Sequence, residues 1–138
     1  MAAAARTHAD AVLAWYPAQA NPLLVFDSAG PPSSPTGPYC VIYPTPGDRQ
    51  APTMALDYRR VTTTHQLSFF GGSEDEVLWA ADKAADILGQ FLTVTGRYVE
   101  PVRFLGSSPV TRDDATRNAA GLPLFTATTD IAVTSQPQ

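Results

Sequence analysis

The sequence has few of the residues on which redox, metal and phosphate chemistry depend. It contains one cysteine, two histidines and only nine lysines and arginines, against thirteen aspartates and glutamates. A lone Cys40 cannot form an internal disulfide, and its apolar neighbours predict a small buried thiol, as in a protein that assembles in a reducing cytoplasm. The net charge of −4 disfavours binding to phosphate backbones. We also expect no sequence-specific nucleic-acid partner.

Long apolar runs are absent as well. No stretch of about eighteen consecutive apolar residues occurs, so we expect no membrane span. The alanine-rich segment from Met1 to Asp10 has no basic start, and we expect no export signal there. No unit of roughly twenty to fifty residues repeats, which disfavours a solenoid. With 44% apolar residues in 138 positions, the chain predicts a single domain over residues 1–138.

Prolines, in contrast, are abundant, with thirteen in the chain. They concentrate in connecting stretches and indicate stiff loops between packed elements. We predict two long loops, at residues 28–38 and 106–121. Both exceed the length of simple connectors in a small domain, and functional loops of this kind commonly make contacts.

Two helices are predicted, each beginning at a capping-box pattern, Thr7 with Asp10 and Ser73 with Glu76. Pro17 ends the first helix. The second follows a Gly-Gly break, and its acidic first turn suits the helix dipole. Its apolar stripe consists mainly of small residues and suggests close packing on a sheet: Val77, Ala80, Ala81, Ala84, Ile87, Leu88 and Phe91.

Five segments have strand patterns. The longest runs from Arg59 to Phe70 and alternates, so that one face carries Val61, Thr63, His65, Leu67 and Phe69. The other four are Leu23 to Phe26, Tyr39 to Tyr43, Arg97 to Phe104 and Leu122 to Val133. Together these elements predict an α+β fold, with a single mixed, largely antiparallel sheet of about four to five strands and two helices packed on it.

No catalytic, metal or cofactor motif is present. HExxH, G-x-S-x-G and paired cysteines are missing, so we expect no enzyme, no metal and no cofactor. His65 is predicted to be a strand histidine paired with a neighbour, and His8 lies near the terminus. An alternative joins Asp113, Asp114 and His65 into the site of a small metal-dependent hydrolase.

Charged residues suggest a subunit interface instead. Arg59, Arg60, Arg112, Asp113 and Asp114 are predicted to lie in or next to loops that present opposite charges to a neighbouring copy. Trp15 and Trp79 lie off the main apolar faces of their helices. They either widen those faces or anchor a neighbouring chain.

The order of short segments is also informative. The chain runs from "THADAVLAW" and "VFD" through "PYCVIYP" and "VTTTHQLSFFGGSEDEVLWAADKAADIL" to "GRYVEPV" and "PVTRDDATRNAAGLPLF". In this order it resembles the tail terminator proteins of long-tailed (siphovirus-type) bacteriophages that infect actinobacteria. The likeness is strongest from Gly72 to Leu88, with Trp79 and Asp82, and from Val110 to Asp114, followed by Leu124 and Phe125.

This resemblance implies a non-enzymatic virion protein. It would form a homo-hexameric ring on the last ring of the major tail tube protein, stop tube polymerisation, and offer a surface for head–tail joining to a head-completion or connector protein. Its location would be the virion, at the tail end of the neck, after assembly in the host cytoplasm. The nearest alternative is another neck component, a head-closure or tail-completion protein.

Overall fold

A computed structural model describes residues 4–31, 35, 37–50, 59–117 and 121–138. Parts of both predicted loops, at residues 32–34, 36 and 118–120, lie outside these ranges. Within them the chain forms two α-helices, a 3₁₀ turn and eight strands. In chain order these are α1 Ala4–Trp15, the 3₁₀ turn Tyr16–Ala18, β1 Leu24–Phe26, β2 Tyr39–Pro44, β3 Asp48–Gln50, β4 Arg60–Gly71, α2 Glu74–Ala85, β5 Arg97–Val99, β6 Arg103–Ser107, β7 Thr111–Arg117 and β8 Pro123–Pro137.

All eight strands belong to one sheet with the path β1-β2-β4-β8-β5. The β1–β2 pair is parallel, and the other pairs are antiparallel. Strands β2 and β3 follow one another along one side of β4, while β5, β6 and β7 follow one another along the outer side of β8. The long central strands β4 and β8 therefore hold the interrupted outer strands in place.

The predicted number of four to five strands was wrong, although the α+β class is compatible with the structure. The outer strands are broken where the backbone cannot continue a ladder. Gly47, between β2 and β3, has φ +87°, and a Cβ there would lie 2.6 Å from the carbonyl oxygen of Thr62. Pro101 lies between β5 and β6 and has no N–H to donate.

The predicted loop at 106–121 was also wrong in its described part. Residues Thr111–Arg117 form β7, which pairs with the first residues of β8 through Arg112 opposite Phe125 and Asp113 opposite Leu124. Strand β8 is 15 residues long and its outer side offers a ladder along this whole length. The polar residues of β7 adopt a strand conformation because hydrogen bonds to β8 satisfy their backbone N–H and C=O groups.

The alternation predicted for β4 is confirmed. Its inward side chains are wholly buried and pack beneath the two helices: Val61, Thr63, His65, Leu67 and Phe69. The opposite face has no helix among the described residues. It carries threonines and a small apolar cluster of Tyr39, Val41 and Leu124.

Helix α2 begins as predicted. Ser73 Oγ accepts a hydrogen bond from the Glu76 N–H at 3.3 Å, and the Glu76 carboxylate accepts one from the Gly72 N–H at 2.5 Å. The buried stripe is Val77, Ala80, Ala84 and Ile87. Phe91 was wrongly included in it and is 71% exposed, since the helix ends at Ala85 and helical spacing no longer applies.

Helix α1 does not begin at the predicted cap. Thr7 lies inside the helix, and its hydroxyl donates to the Ala4 carbonyl at 2.8 Å, because the alanine-rich sequence extends the helix towards the N-terminus. Tyr16 links the two helices by donating its hydroxyl to the Ala84 carbonyl at 2.9 Å. None of the described helices is long and apolar enough to cross a membrane.

Candidate functional site

The charged residues predicted to form an interface lie at opposite ends of the sheet. Arg60 is the first residue of β4, next to the end of β8 that contains Ser135, whereas Arg112 pairs with Phe125 near the start of β8. Phe125 and Ser135 lie ten residues apart along β8, which corresponds to roughly 33 Å. The structure therefore forms two charged groups, not one patch.

Each group has its own internal contacts. Arg60 donates to the Glu100 carboxylate at 2.7 Å. At the other end, Arg112 Nε lies 2.7 Å from Asp114 Oδ1, with 61% and 66% of the two side chains exposed, and Asp113 accepts from the Ala115 N–H. Arg112, Asp113 and Asp114 belong to the edge strand β7, which directly follows the irregular residues 108–110.

Apolar side chains are exposed on the same sheet edge. Phe104 and Leu105 of β6 are 55% and 50% exposed. Their register with β8 shifts between Phe104 and Gly106, which makes Leu105 the additional residue of a bulge. The exposed Phe91 follows Gln90, whose carbonyl accepts a hydrogen bond from the Val102 N–H at 3.0 Å, next to the start of β6. We call Phe91, Phe104, Leu105, Arg112 and Asp114 the β6–β7 edge.

The opposite edge of the sheet is different. It is formed by the three-residue strand β1, in which Leu24 is 52% exposed, and the exposed Asp27 follows directly. Within the described ranges, no strand pairs with the outer side of β1 or of β6. Unpaired edges with apolar side chains favour pairing with another chain.

A second notable feature is a buried polar cluster under α1. His8 of α1 contacts two strands: its Nδ1 lies 2.9 Å from Thr63 Oγ1, and its Nε2 lies 2.5 Å from Ser135 Oγ. Thr63 Oγ1 is also 2.7 Å from Nε2 of His65, and Arg97 Nε donates to Ser135 Oγ at 2.6 Å. We call His8, Thr63, His65, Arg97 and Ser135 the histidine cluster. Apart from Arg97, each of these residues is 0% exposed.

The donors of the histidine cluster can be assigned in order. Arg97 can only donate, so Ser135 Oγ accepts from it and donates to His8 Nε2. His8 then donates from Nδ1 to Thr63, and the Thr63 hydroxyl donates to His65 Nε2. This leaves His65 Nδ1 as the buried side-chain nitrogen without a partner among the described residues.

Both histidines are neutral near pH 7. Burial lowers the pKa of His8 to about 4, and the positive charge of Arg97 acts in the same direction. Burial likewise lowers the pKa of His65 to about 4, with a further contribution from His8. The Ser135–His8 pair has the spacing of a nucleophile and a base. However, both side chains are fully buried, so this arrangement is closed to a substrate and instead joins α1 to β4 and β8.

The structure does not bring together Asp113, Asp114 and His65, the ligands of the hydrolase alternative. His65 pairs with Ile131 and Asp113 with Leu124, which places them seven residues apart along β8. No group of three or more His, Cys, Asp or Glu side chains in the described part of the chain has metal-binding geometry.

No pattern in the sequence indicates the histidine cluster. His8 and its two partners are separated by 55 and 127 positions, so no local pattern joins them. The tryptophans differ in burial: Trp15 packs partly against the core, and Trp79 is 37% exposed, with the Lys83 ammonium 6.0 Å from its ring. Neither a protein-family model nor a curated protein matches the sequence.

Proposed function

We propose that this chain is a structural virion subunit that assembles head to tail into a ring on the end of a phage tail tube. There it stops tube polymerisation and provides a surface for head–tail joining. The observation that supports this best is the open sheet with two unlike edges. A contact between unlike surfaces of identical copies generates a ring when its rotation closes.

The two edges are complementary in character. The β6–β7 edge offers Phe104 and Leu105 with the exposed Arg103 beside them, and the β1 edge offers Leu24 with the exposed Asp27. Burying aromatic and aliphatic side chains stabilises an interface, while a pair of opposite charges at its rim fixes the register. In the proposed ring, the β6–β7 edge of one copy therefore contacts the β1 edge of the next.

The order of sequence segments supports the assignment to a phage tail. The residues that most resemble tail terminators include Val110 to Asp114, and this segment contains the exposed Thr111, Arg112 and Asp114 of β7. That resemblance also implies a ring of six copies, with the tail tube protein and the head-completion protein as its partners.

Light scattering and electron microscopy test the proposal, with a polymerising tail tube protein added in the second step. We expect rings, and tubes that are shorter and capped at one end. Leu105→Asp should abolish the rings, whereas Leu78→Asp, at a similarly exposed position on α2, should not. A chain that stays monomeric and leaves tube length unchanged would contradict the proposal. Rings that bind connectors but not tube ends would assign the protein to another part of the neck.

A further inference from the structure

We propose that the histidine cluster is an acid-sensitive lock, which releases α1 from the sheet while the sheet and α2 remain folded. The cluster lies at the contact between α1 and the two central strands. A change in its protonation therefore acts directly on the docking of this helix.

An added proton on His8 would break the donor order of the histidine cluster. Both ring nitrogens of His8 are used, one towards Thr63 and one towards Ser135. A proton on His8 Nε2 would turn an acceptor into a donor that faces a hydroxyl oxygen already accepting from Arg97. Ser135 would then lose the acceptor for its own hydrogen, and the ordered chain of donors would break.

The charges around the cluster would not compensate a new positive charge. His65 faces it from β4 and Arg97 from β5, with Arg49 of β3 acting on Arg97 in turn. On α1 itself, the Arg6–Asp10 pair is more than half exposed on the outer side of the helix. Neither histidine ring is hydrogen-bonded to a carboxylate in the described part of the chain. Protonation would thus place a second cation next to Arg97 in a buried site.

The direction of the pH effect follows from the two protonation equilibria. The pKa of each histidine is about 4 in the folded protein, below the ordinary value of 6.5. The unfolded or released state therefore binds more protons than the native state as the pH falls. This stabilisation is fully present above pH 6.5 and is lost as the pH decreases towards 4.

The release is expected to be local because α1 is joined to the strands that follow it through a 3₁₀ turn and contributes no strand to the sheet. Helix α1 buries His8, Ala9 and Val12, whereas α2 contacts β4 and β8 directly; the hydrogen bond from Tyr16 to the Ala84 carbonyl is a link between the helices that the release would break. Elements with few buried contacts open before the whole domain unfolds.

The two tryptophans allow local and global opening to be separated. In Trp79→Phe the remaining Trp15 reports on α1, where its ring packs edge-on against Tyr16, and in Trp15→Phe the remaining Trp79 reports on α2. We expect the Trp15 fluorescence to change with a midpoint between pH 4 and 6.5, and the Trp79 fluorescence and the strand circular dichroism to change at lower pH. Coincident transitions of both reporters would overturn the proposal.

A variant without titrating rings provides the control. His8→Gln with His65→Gln, in the Trp79→Phe background, should move the Trp15 midpoint to lower pH by about one unit or more. An unchanged midpoint would assign the transition to carboxylates and reject the lock. If this variant does not fold, the two histidine rings of the unmodified protein can be followed by NMR. Both should be neutral at pH 7 and gain their protons together with the Trp15 change; protonation without that change would equally reject the lock.

Discussion

At the scale of single residues, Ile87 tests the packing of the helical layer. It is wholly buried although it lies two residues beyond Ala85, the last residue of α2. Ile87→Ala should lower the free energy of unfolding by roughly 2 to 5 kcal/mol, through lost transfer energy and a cavity. Leu78→Ala, at a position 46% exposed on α2, is the control and should change the free energy of unfolding by less than about 0.5 kcal/mol. Denaturant unfolding measures both, and equal losses would contradict the assigned face.

Cys40 provides a second residue-level test. It is 0% exposed, and burial raises the pKa of its thiol above the ordinary range. Because the thiolate is the reactive form, we expect no reaction with a disulfide reagent in the native protein at pH 7 and rapid reaction in denaturant. The chain has one cysteine, so the absorbance change reports this site alone. Rapid labelling without denaturant would show that β2 is accessible.

At the scale of elements, the sequence was most informative where the pattern was local. The alternation of β4 and the cap of α2 both depend on residues a few positions apart, and both are present as predicted. The prediction failed for α1, where Thr7 and Asp10 match a capping box although the helix begins a turn earlier. Helix propensity of the alanines before Thr7 outweighed the capping pattern.

The elements that were not predicted depend on partners that are far away in the sequence. The polar residues of β7 form a strand because they pair with the start of β8. The single strand predicted from Arg97 to Phe104 is instead two strands, β5 and β6, separated by a short irregular stretch. The histidine cluster was missed for the same reason, since α1 and β8 meet only in the folded chain. Non-local pairing of this kind leaves no periodic signal in either segment.

The two predicted capping boxes form a matched pair for mutation. Ser73→Ala removes the hydroxyl that accepts from the Glu76 N–H and should destabilise the protein by about 1 kcal/mol. Thr7→Ala removes a hydroxyl that bonds within α1 to the Ala4 carbonyl, and its effect should stay within about 0.5 kcal/mol. Thermal or denaturant unfolding distinguishes the two, and a larger loss at Thr7 would show that α1 begins at the predicted cap.

At the scale of the whole molecule, stability should not depend on a metal ion. We found no ligand set in the sequence, and His65 lies far from Asp113 and Asp114 along the sheet. The melting temperature should therefore be the same with and without a chelator. A fall in chelator that is reversed by a divalent cation would return Asp113 and Asp114 to consideration as ligands.

The proposed ring forms when the β6–β7 edge of one copy contacts the β1 edge of the next. Arg112 offers a test of this assembly. Reversing its charge with Arg112→Glu places a carboxylate beside Asp114 on the β6–β7 edge, which should weaken an interface there while the monomer stays folded. Arg6→Glu is the matched control, because Arg6 forms an equally exposed pair with Asp10 on α1, away from that edge. Light scattering should show smaller species for Arg112→Glu alone. In a complementation assay the same variant should yield heads without joined tails and tubes of irregular or excessive length, since nothing would cap their growth. Normal rings and virions from Arg112→Glu would mean that this part of β7 is simply solvated and that the ring contact lies elsewhere.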